Sequence, residues 1–243
     1  MGEFSGKSVL ITGGTSGIGF AVARAFLKEG ANVVICGRSE ERGRVALNRL
    51  TDFGDEIKFI EADIRDEFTV KRLLRYSLDC FDNLDFAFNN AGVFLREPPL
   101  HEHSTDQWEE VISANLTGVY YCMKHEIIAM GSARRKAHRA IVNNASIVAH
   151  RGSQSSGLAY TAAKHGVMGL TKQAAINHVT DNIRVNAVSP GPTLTEATRA
   201  GLEGVPEEVQ EKISGLNPAG ALVNLDEIAA TVLFLCSGRA TMI

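Results

Sequence analysis

Gly13, Gly17 and Gly19 stand between a short apolar run and an amphipathic stretch. Glycine permits the sharp turn that brings backbone N–H groups against a pyrophosphate, and the helix N-terminus behind it then faces the negative charge. Placed between a strand and a helix, the triplet reads as a dinucleotide site rather than a bare tight turn, and Thr15, Ser16 and Ile18 share its loop. After the second apolar run comes Cys36-Gly37-Arg38-Ser39, with no carboxylate before Glu40. An NAD site places an acid here for the ribose hydroxyls, whereas a guanidinium suits a 2′-phosphate. Glu40 reads as the first turn of the next helix, where acids complement the dipole. Arg38 therefore favours NADP, with NAD as the alternative. Asp63 follows the third run, where the adenine amino group would lie; its other reading is a helix cap.

Tyr160 and Lys164 are four residues apart and so project from one helical face. Tyr120 and Lys124 have the same spacing, and context separates the two pairs. Fourteen residues before Tyr160 stands Ser146, at the carboxyl end of a predicted strand; the residue at that offset from Tyr120 is Asp106, in a predicted helix start. Tyr120 and Lys124 are therefore expected to be mere neighbours on a helix.

These residues need elements to hold them. The runs Ser8–Thr12, Asn32–Cys36, Ile57–Glu61, Leu84–Phe88, Ala140–Asn144 and Ile183–Val188 are continuous in apolar residues, as strands buried on both faces should be. Amphipathic stretches alternate with them, among them Ile18–Lys28, Glu67–Cys80 and Trp108–Met130. The order predicts an α/β fold, a doubly wound parallel sheet with helices on both faces, Rossmann-like, and with no low-complexity linker it predicts one domain over residues 1–243. Ligands of such sheets bind at the carboxyl ends of the strands. Just past those ends stand the glycine loop, Arg38, Asp63, Asn89-Asn90-Ala91-Gly92, Ser146 and Pro190-Gly191, all on one edge.

Together, Thr12-Gly13-Gly14-Thr15-Ser16-Gly17-Ile18-Gly19, Asn89-Asn90-Ala91-Gly92, Asn115, Ser146, Tyr160-x-x-x-Lys164 and Ser189-Pro190-Gly191 resemble the classical short-chain dehydrogenase/reductase family, along essentially the whole chain. The resemblance implies an NAD(P)-dependent oxidoreductase that interconverts a carbonyl and a secondary alcohol. Tyr160 would be the proton donor and acceptor. A phenol titrates near ~10, so the Lys164 ammonium and the positive nicotinamide would have to pull it down. Lys164 would also hold the nicotinamide ribose, Ser146 would hydrogen-bond the substrate oxygen, and Asn115 would anchor a water linking Lys164 to solvent. Coenzyme contacts are expected from Gly13, Thr15, Ser16, Gly17, Ile18, Gly19, Arg38, Ser39, Asp63, Ile64, Asn90, Gly92, Tyr160, Lys164, Pro190, Gly191 and Thr193. Many NADP-preferring relatives carry a basic residue in the glycine loop where Thr15 and Ser16 stand, which leaves the coenzyme choice mainly on Arg38.

The substrate wall is expected from the loop Ile147–Ala159 and a lid over Thr193–Gly215. His150, Arg151, Gln154, Ser155 and Ser156 make the loop polar and hint at a sugar, polyol or carrier-bound 3-oxoacyl substrate. The rivals are an NAD-dependent alcohol or sugar dehydrogenase and, in another class, a non-catalytic dinucleotide-binding sensor or scaffold. The alanine, glycine and methionine residues Ala162, Ala163, Gly166, Met168, Gly169, Ala174 and Ala175 imply a helix covered on more than its sheet side, and the resemblance places a partner subunit there, in a homotetramer. Relatives carry one more buried strand beyond Thr241, so the natural chain is expected to continue roughly ten to twenty residues past Ile243.

A net charge of −3 gives no reason to expect a nucleic-acid partner, and the basic cluster Arg134, Arg135, Lys136, His138 and Arg139 reads as a solvated loop after a helix C-terminus. The four scattered cysteines read as buried thiols, and no metal site is expected. With neither a signal region nor an apolar stretch of membrane-spanning length, the chain reads as cytoplasmic.

Overall fold

A computed structural model describes residues 2–132, 138–153 and 156–243. Six parallel strands, β1 (Ser8–Thr12), β2 (Asn32–Gly37), β3 (Ile57–Glu61), β4 (Phe86–Asn89), β5 (Arg139–Asn144) and β6 (Ile183–Val188), lie in the order β3-β2-β1-β4-β5-β6. β1, β2, β4 and β5 are buried on both faces, as their unbroken apolar runs require. β3 and β6 are only partly buried, because each is an outer strand with one free edge. Thr12 stands opposite Cys36 and Asn89, and Asn89 opposite Asn143, so the carboxyl ends are level across the middle of the sheet. The strand order reverses between β1 and β4, which opens the ligand crevice there.

The helices are α1 (Gly17–Lys28), α2 (Glu40–Asn48), α3 (Glu67–Phe81), α4 (Thr105–Ile112), α5 (Gly118–Ser132), α6 (Leu158–Asn177), α7 (Glu196–Leu202), α8 (Glu207–Ser214) and α9 (Leu225–Cys236). Alternate residues of β1 point to opposite faces and serve two cores. Val9 and Ile11 pack with Phe26 of α1, Ala46 of α2 and Val232 of α9, while Leu10 packs with Leu73 of α3, Met130 of α5 and Val167 of α6. None of the described helices is long and apolar enough to cross a membrane.

Two expectations are corrected here. The stretch 108–130 is not one helix: α4 ends at Ile112, a π turn covers Ser113–Thr117, and α5 follows. The Asn115 carboxamide donates to the Val111 carbonyl (3.0 Å), the acceptor a regular helix gives to its own amide, and this competition accompanies the wider turn. Arg139 is no part of a solvated loop, since it opens β5 and is buried. Arg134, Arg135 and Lys136 of the same cluster lie outside the described residues.

Candidate active site

The glycine loop is shaped as a phosphate cradle. Gly13 and Gly17 have φ of 64° and 54°, a region that excludes most side chains, and a Cβ on Gly19 would meet the Gly13 carbonyl. Ser16 is the N-cap of α1 yet its side chain caps nothing, so the first-turn amides are left facing the crevice. The loop is tied to β4 by Thr12, whose hydroxyl accepts from the Asn90 and Ala91 amides at 3.0 Å, while the Asn90 carboxamide donates to the Thr12 and Gly13 carbonyls. A crevice of about 750 Å³ follows, lined by Gly13, Thr15, Ser16, Arg38, Ser39, Asp63, Ile64, Asn90 and Gly92. These residues fit an adenine dinucleotide: amides for the pyrophosphate at one end, guanidinium groups and a carboxylate at the other.

At that other end the structure adds two residues that sequence reasoning missed, Arg42 and Arg65. Arg42 lies one helical turn beyond Arg38, and its amide donates to the Ser39 hydroxyl that caps α2, a spacing legible in the sequence. Arg65 clasps Asp63, with Nε 3.0 and 2.9 Å from the two carboxylate oxygens. Partial burial opposes ionisation of Asp63, but the Arg65 side chain and amide outweigh it and hold the carboxyl below its ordinary range. The helix cap is Asp66, which accepts from the Phe68 and Thr69 amides, so Asp63 is not needed for capping.

Asn90, Gly92 and Val93 also line a second cleft of about 680 Å³, which makes the two continuous. Ile18, Asn115, Ser146, Tyr160, Lys164, Pro190, Gly191 and Thr193 all face this cleft. Gly17 and Gly19 line neither cavity and serve by shaping the loop. Lys164 is buried; its Nζ donates to the Asn144 carbonyl at 2.6 Å and lies 5.5 Å from the centre of the Tyr160 ring. By contrast Tyr120 is exposed and Lys124 pairs with Glu67 at 2.8 Å, so that pair is a surface feature.

The protein's own groups do not by themselves supply the lowering expected of Lys164 together with a bound nicotinamide. Burial pushes the Tyr160 phenol up, opposed by its hydrogen bond with the Ser146 hydroxyl. Burial likewise pushes the Lys164 ammonium down to about 8. The protein by itself therefore holds Tyr160 protonated at neutral pH, the form that can give a proton to a carbonyl oxygen.

The Asn115 side chain is held by the backbone around it. Both of its amide protons go to backbone carbonyls, of Val93 (2.9 Å) and Val111, and its oxygen accepts from the Val93 amide at 3.2 Å. The side chain braces the loop after β4. Of the polar loop after β5, His150, Arg151 and Ser156 do not line this cleft. His150 bonds the Ser189 hydroxyl (2.9 Å), and with Arg151 it lines a neighbouring groove, beside Leu216 and Pro218, that meets the cleft at Gly191. Gln154 and Ser155 lie outside the described residues. Around Tyr160 the cleft presents the apolar Val93, Phe94, Leu202 and Ile213 alongside Thr195 and Thr198. The side a loop turns inward is a tertiary property, and no local signal marked Phe94.

A dinucleotide crevice that runs into a tyrosine–lysine cleft belongs to oxidoreductases that pass a hydride between a nicotinamide and a carbonyl or alcohol carbon. The family model described as enoyl-(acyl carrier protein) reductase matches residues 13–243. A 3β-hydroxysteroid dehydrogenase of Mediterraneibacter gnavus is 36% identical, over 99% of this chain and 91% of its own. A 3-oxoacyl-[acyl-carrier-protein] reductase of Chlamydia pneumoniae is 38% identical, over 96% and 90% respectively. The solved structure of ElxO with NADP bound superimposes with a TM-score of 0.89 at 34% identity, covering 98% of this chain and 94% of that one. The chain belongs to the short-chain dehydrogenase/reductase family and is an NAD(P)-dependent oxidoreductase.

Proposed function

We propose that the protein is an NADP(H)-preferring carbonyl reductase and secondary-alcohol dehydrogenase for substrates with an apolar frame. The convergence of Ser146, Tyr160 and Lys164 on a cleft walled by Val93, Phe94, Leu202 and Ile213 carries this reading. When bound, the nicotinamide supplies or takes up the hydride at the substrate carbon. In the reducing direction Tyr160 gives its phenolic proton to the substrate oxygen as charge develops there. The Ser146 hydroxyl, which faces the same cleft, donates to the same oxygen. Lys164, fixed by the Asn144 carbonyl, sets a cation beside the phenol and restores its proton from solvent. With the Asn115 side chain occupied, a water serving this relay would rest on the Asn115 main chain.

The coenzyme preference is supported by Arg38, Arg42 and the capped N-terminus of α2, which leave one end of the crevice positive, and by the likeness to a protein solved with NADP. A family member that acts on a hydroxysteroid supports the apolar substrate class. Residues 193–215, which contribute Thr195, Thr198, Leu202 and Ile213 to the cleft, would form a lid on this one dinucleotide and catalytic unit. Tyr120 and Ile128 on α5, with Ile176 at the end of α6 and Val179 just past it, are exposed apolar side chains suited to a homotetramer, which light scattering on the purified protein would read. The four cysteines are free, as in a reducing compartment such as the cytoplasm.

The test is a panel of cyclohexanone, a 3-oxosteroid, an acetoacetyl thioester and a ketose, each with NADPH and NADH. We expect an apolar-framed ketone with NADPH to be reduced fastest. Tyr160→Phe should lower turnover ~100-fold or more while coenzyme still binds. A variant retaining above about a tenth of wild-type turnover would sink the catalytic assignment, and a ketose reduced fastest would overturn the substrate class.

A further inference from the structure

Helix α6 begins without a cap of its own. Its N-cap is Gly157, which has no side chain to accept from the second and third residues of the helix, Ala159 and Tyr160. Those two amides donate instead to a carboxylate far away in sequence: Ala159 to Glu97 Oε2 at 2.7 Å and Tyr160 to Glu97 Oε1 at 3.1 Å. Glu97 comes from the loop between β4 and α4, and its side chain is only 2% exposed. His103 Nε2 lies 2.9 Å from the same Oε2, and that imidazole is itself 4% exposed. A buried carboxylate needs partners on each side, and this one has two amides and an imidazole. Gly157 belongs to the arrangement too, since a Cβ there would meet the Glu97 carboxyl within 2.1 Å.

The same loop touches the tyrosine ring. Phe94 meets it edge-on, with the ring centres 5.1 Å apart. One connection thus holds both the backbone and the ring of Tyr160. Pro98 and Pro99 limit the backbone freedom of the segment after Glu97, and the Ser104–Gln107 capping box fixes the helix start after His103.

We infer that Glu97, buttressed by His103, is a positioning residue for Tyr160: it is the displaced cap of the catalytic helix and fixes where the phenol sits in the cleft. The inference rests on Tyr160 being the proton donor. A misplacement of about 1 Å can lower turnover ~100-fold without touching the reacting atoms.

The experiment compares Glu97→Ala, Glu97→Gln, Gly157→Asp and the double variant Glu97→Ala/Gly157→Asp. It reads kcat and KM with NADPH and the fastest ketone of the panel, NADPH affinity by fluorescence, and amide hydrogen exchange of Ala159 and Tyr160 without coenzyme. Glu97→Ala should lose ~10-fold or more in kcat, keep its NADPH affinity, and exchange both amides faster. Glu97→Gln, which retains one acceptor, should fall between it and wild type. Gly157→Asp alone should be damaging, because the new side chain meets Glu97; in the Glu97→Ala background the same substitution supplies a local cap and should restore amide protection and most of the turnover.

Unchanged kcat in Glu97→Ala with faster exchange would show a cap without a catalytic consequence and overturn the inference. So would a double variant that regains protection but not turnover. If Glu97→Ala fails to fold, Glu97→Gln and the double variant decide by the same criteria. Tyr160→Phe run alongside separates the two readings: an active Tyr160→Phe refutes the proton-donor assignment, whereas an inactive one beside an unaffected Glu97→Ala refutes the positioning role alone.

Discussion

Replacing Lys164 by methionine removes a buried ammonium while keeping an unbranched side chain of similar length. In the folded protein burial lowers this ammonium to about 8, against 10.5 ordinarily. Between those values the unfolded chain binds a proton that the folded protein does not, so the stability of the wild type rises with pH across the interval. Below about 8 both states are charged and the full burial cost of about 3 kcal/mol is present, at 1.36 kcal/mol per unit. The methionine thioether cannot titrate, so the pH dependence of the stability difference isolates Lys164. Loss of the hydrogen bond to the Asn144 carbonyl lowers the variant by a nearly constant amount and does not affect that slope. From pH 7 to pH 9.5 the wild type should gain about 2 kcal/mol on Lys164→Met. For a chain of this length that is about 4–8 °C in Tm. Thermal melts of both proteins at the two pH values, without coenzyme, measure it. A difference in Tm that is the same at pH 7 and pH 9.5 would refute the burial of the charged amine.

Glu126 should behave with the opposite sign. It is fully buried on α5, where burial raises its carboxyl to about 8 and a hydrogen bond from Asn89 at 2.9 Å opposes the rise. A raised acid makes the folded protein the better proton binder between its ordinary value and about 8, so stability is lost as pH rises through that window. Glu126→Gln should therefore gain about 2 kcal/mol on the wild type from pH 5 to pH 7, read as a widening gap in Tm; a constant gap would mean the carboxyl is ionised at both. Arg38→Asp should move coenzyme preference from NADPH towards NADH, by setting a repulsive carboxylate where the 2′-phosphate would bind. Ratios of kcat/KM measured with both coenzymes report it, and an unchanged ratio would place Arg38 merely on the surface.

The strands were legible because each is a largely apolar run followed by a turn: Ser8–Thr12 and Ile57–Glu61 match the structure residue for residue. The glycine loop and the choice of Tyr160 over Tyr120 were legible too, since local spacing and the preceding strand end mark them. Arg42 was within reach of the same reasoning, one turn from Arg38. What the sequence alone left undecided concerns contacts between segments far apart along the chain. No pattern near Tyr160 announces that Glu97, sixty-odd residues earlier, holds its backbone amide. Residue types also did not show that the Asn115 amide is consumed by the backbone of Val93 and Val111, or that His150 and Arg151 turn away from Tyr160 while Phe94 turns towards it. Likewise, nothing local distinguishes a lysine near 8 from one near 10.5. Spacing reports which residues share a face; burial, which sets the pKa and the inner wall of the cleft, exists only once two sheet faces and their loops have closed around the side chain.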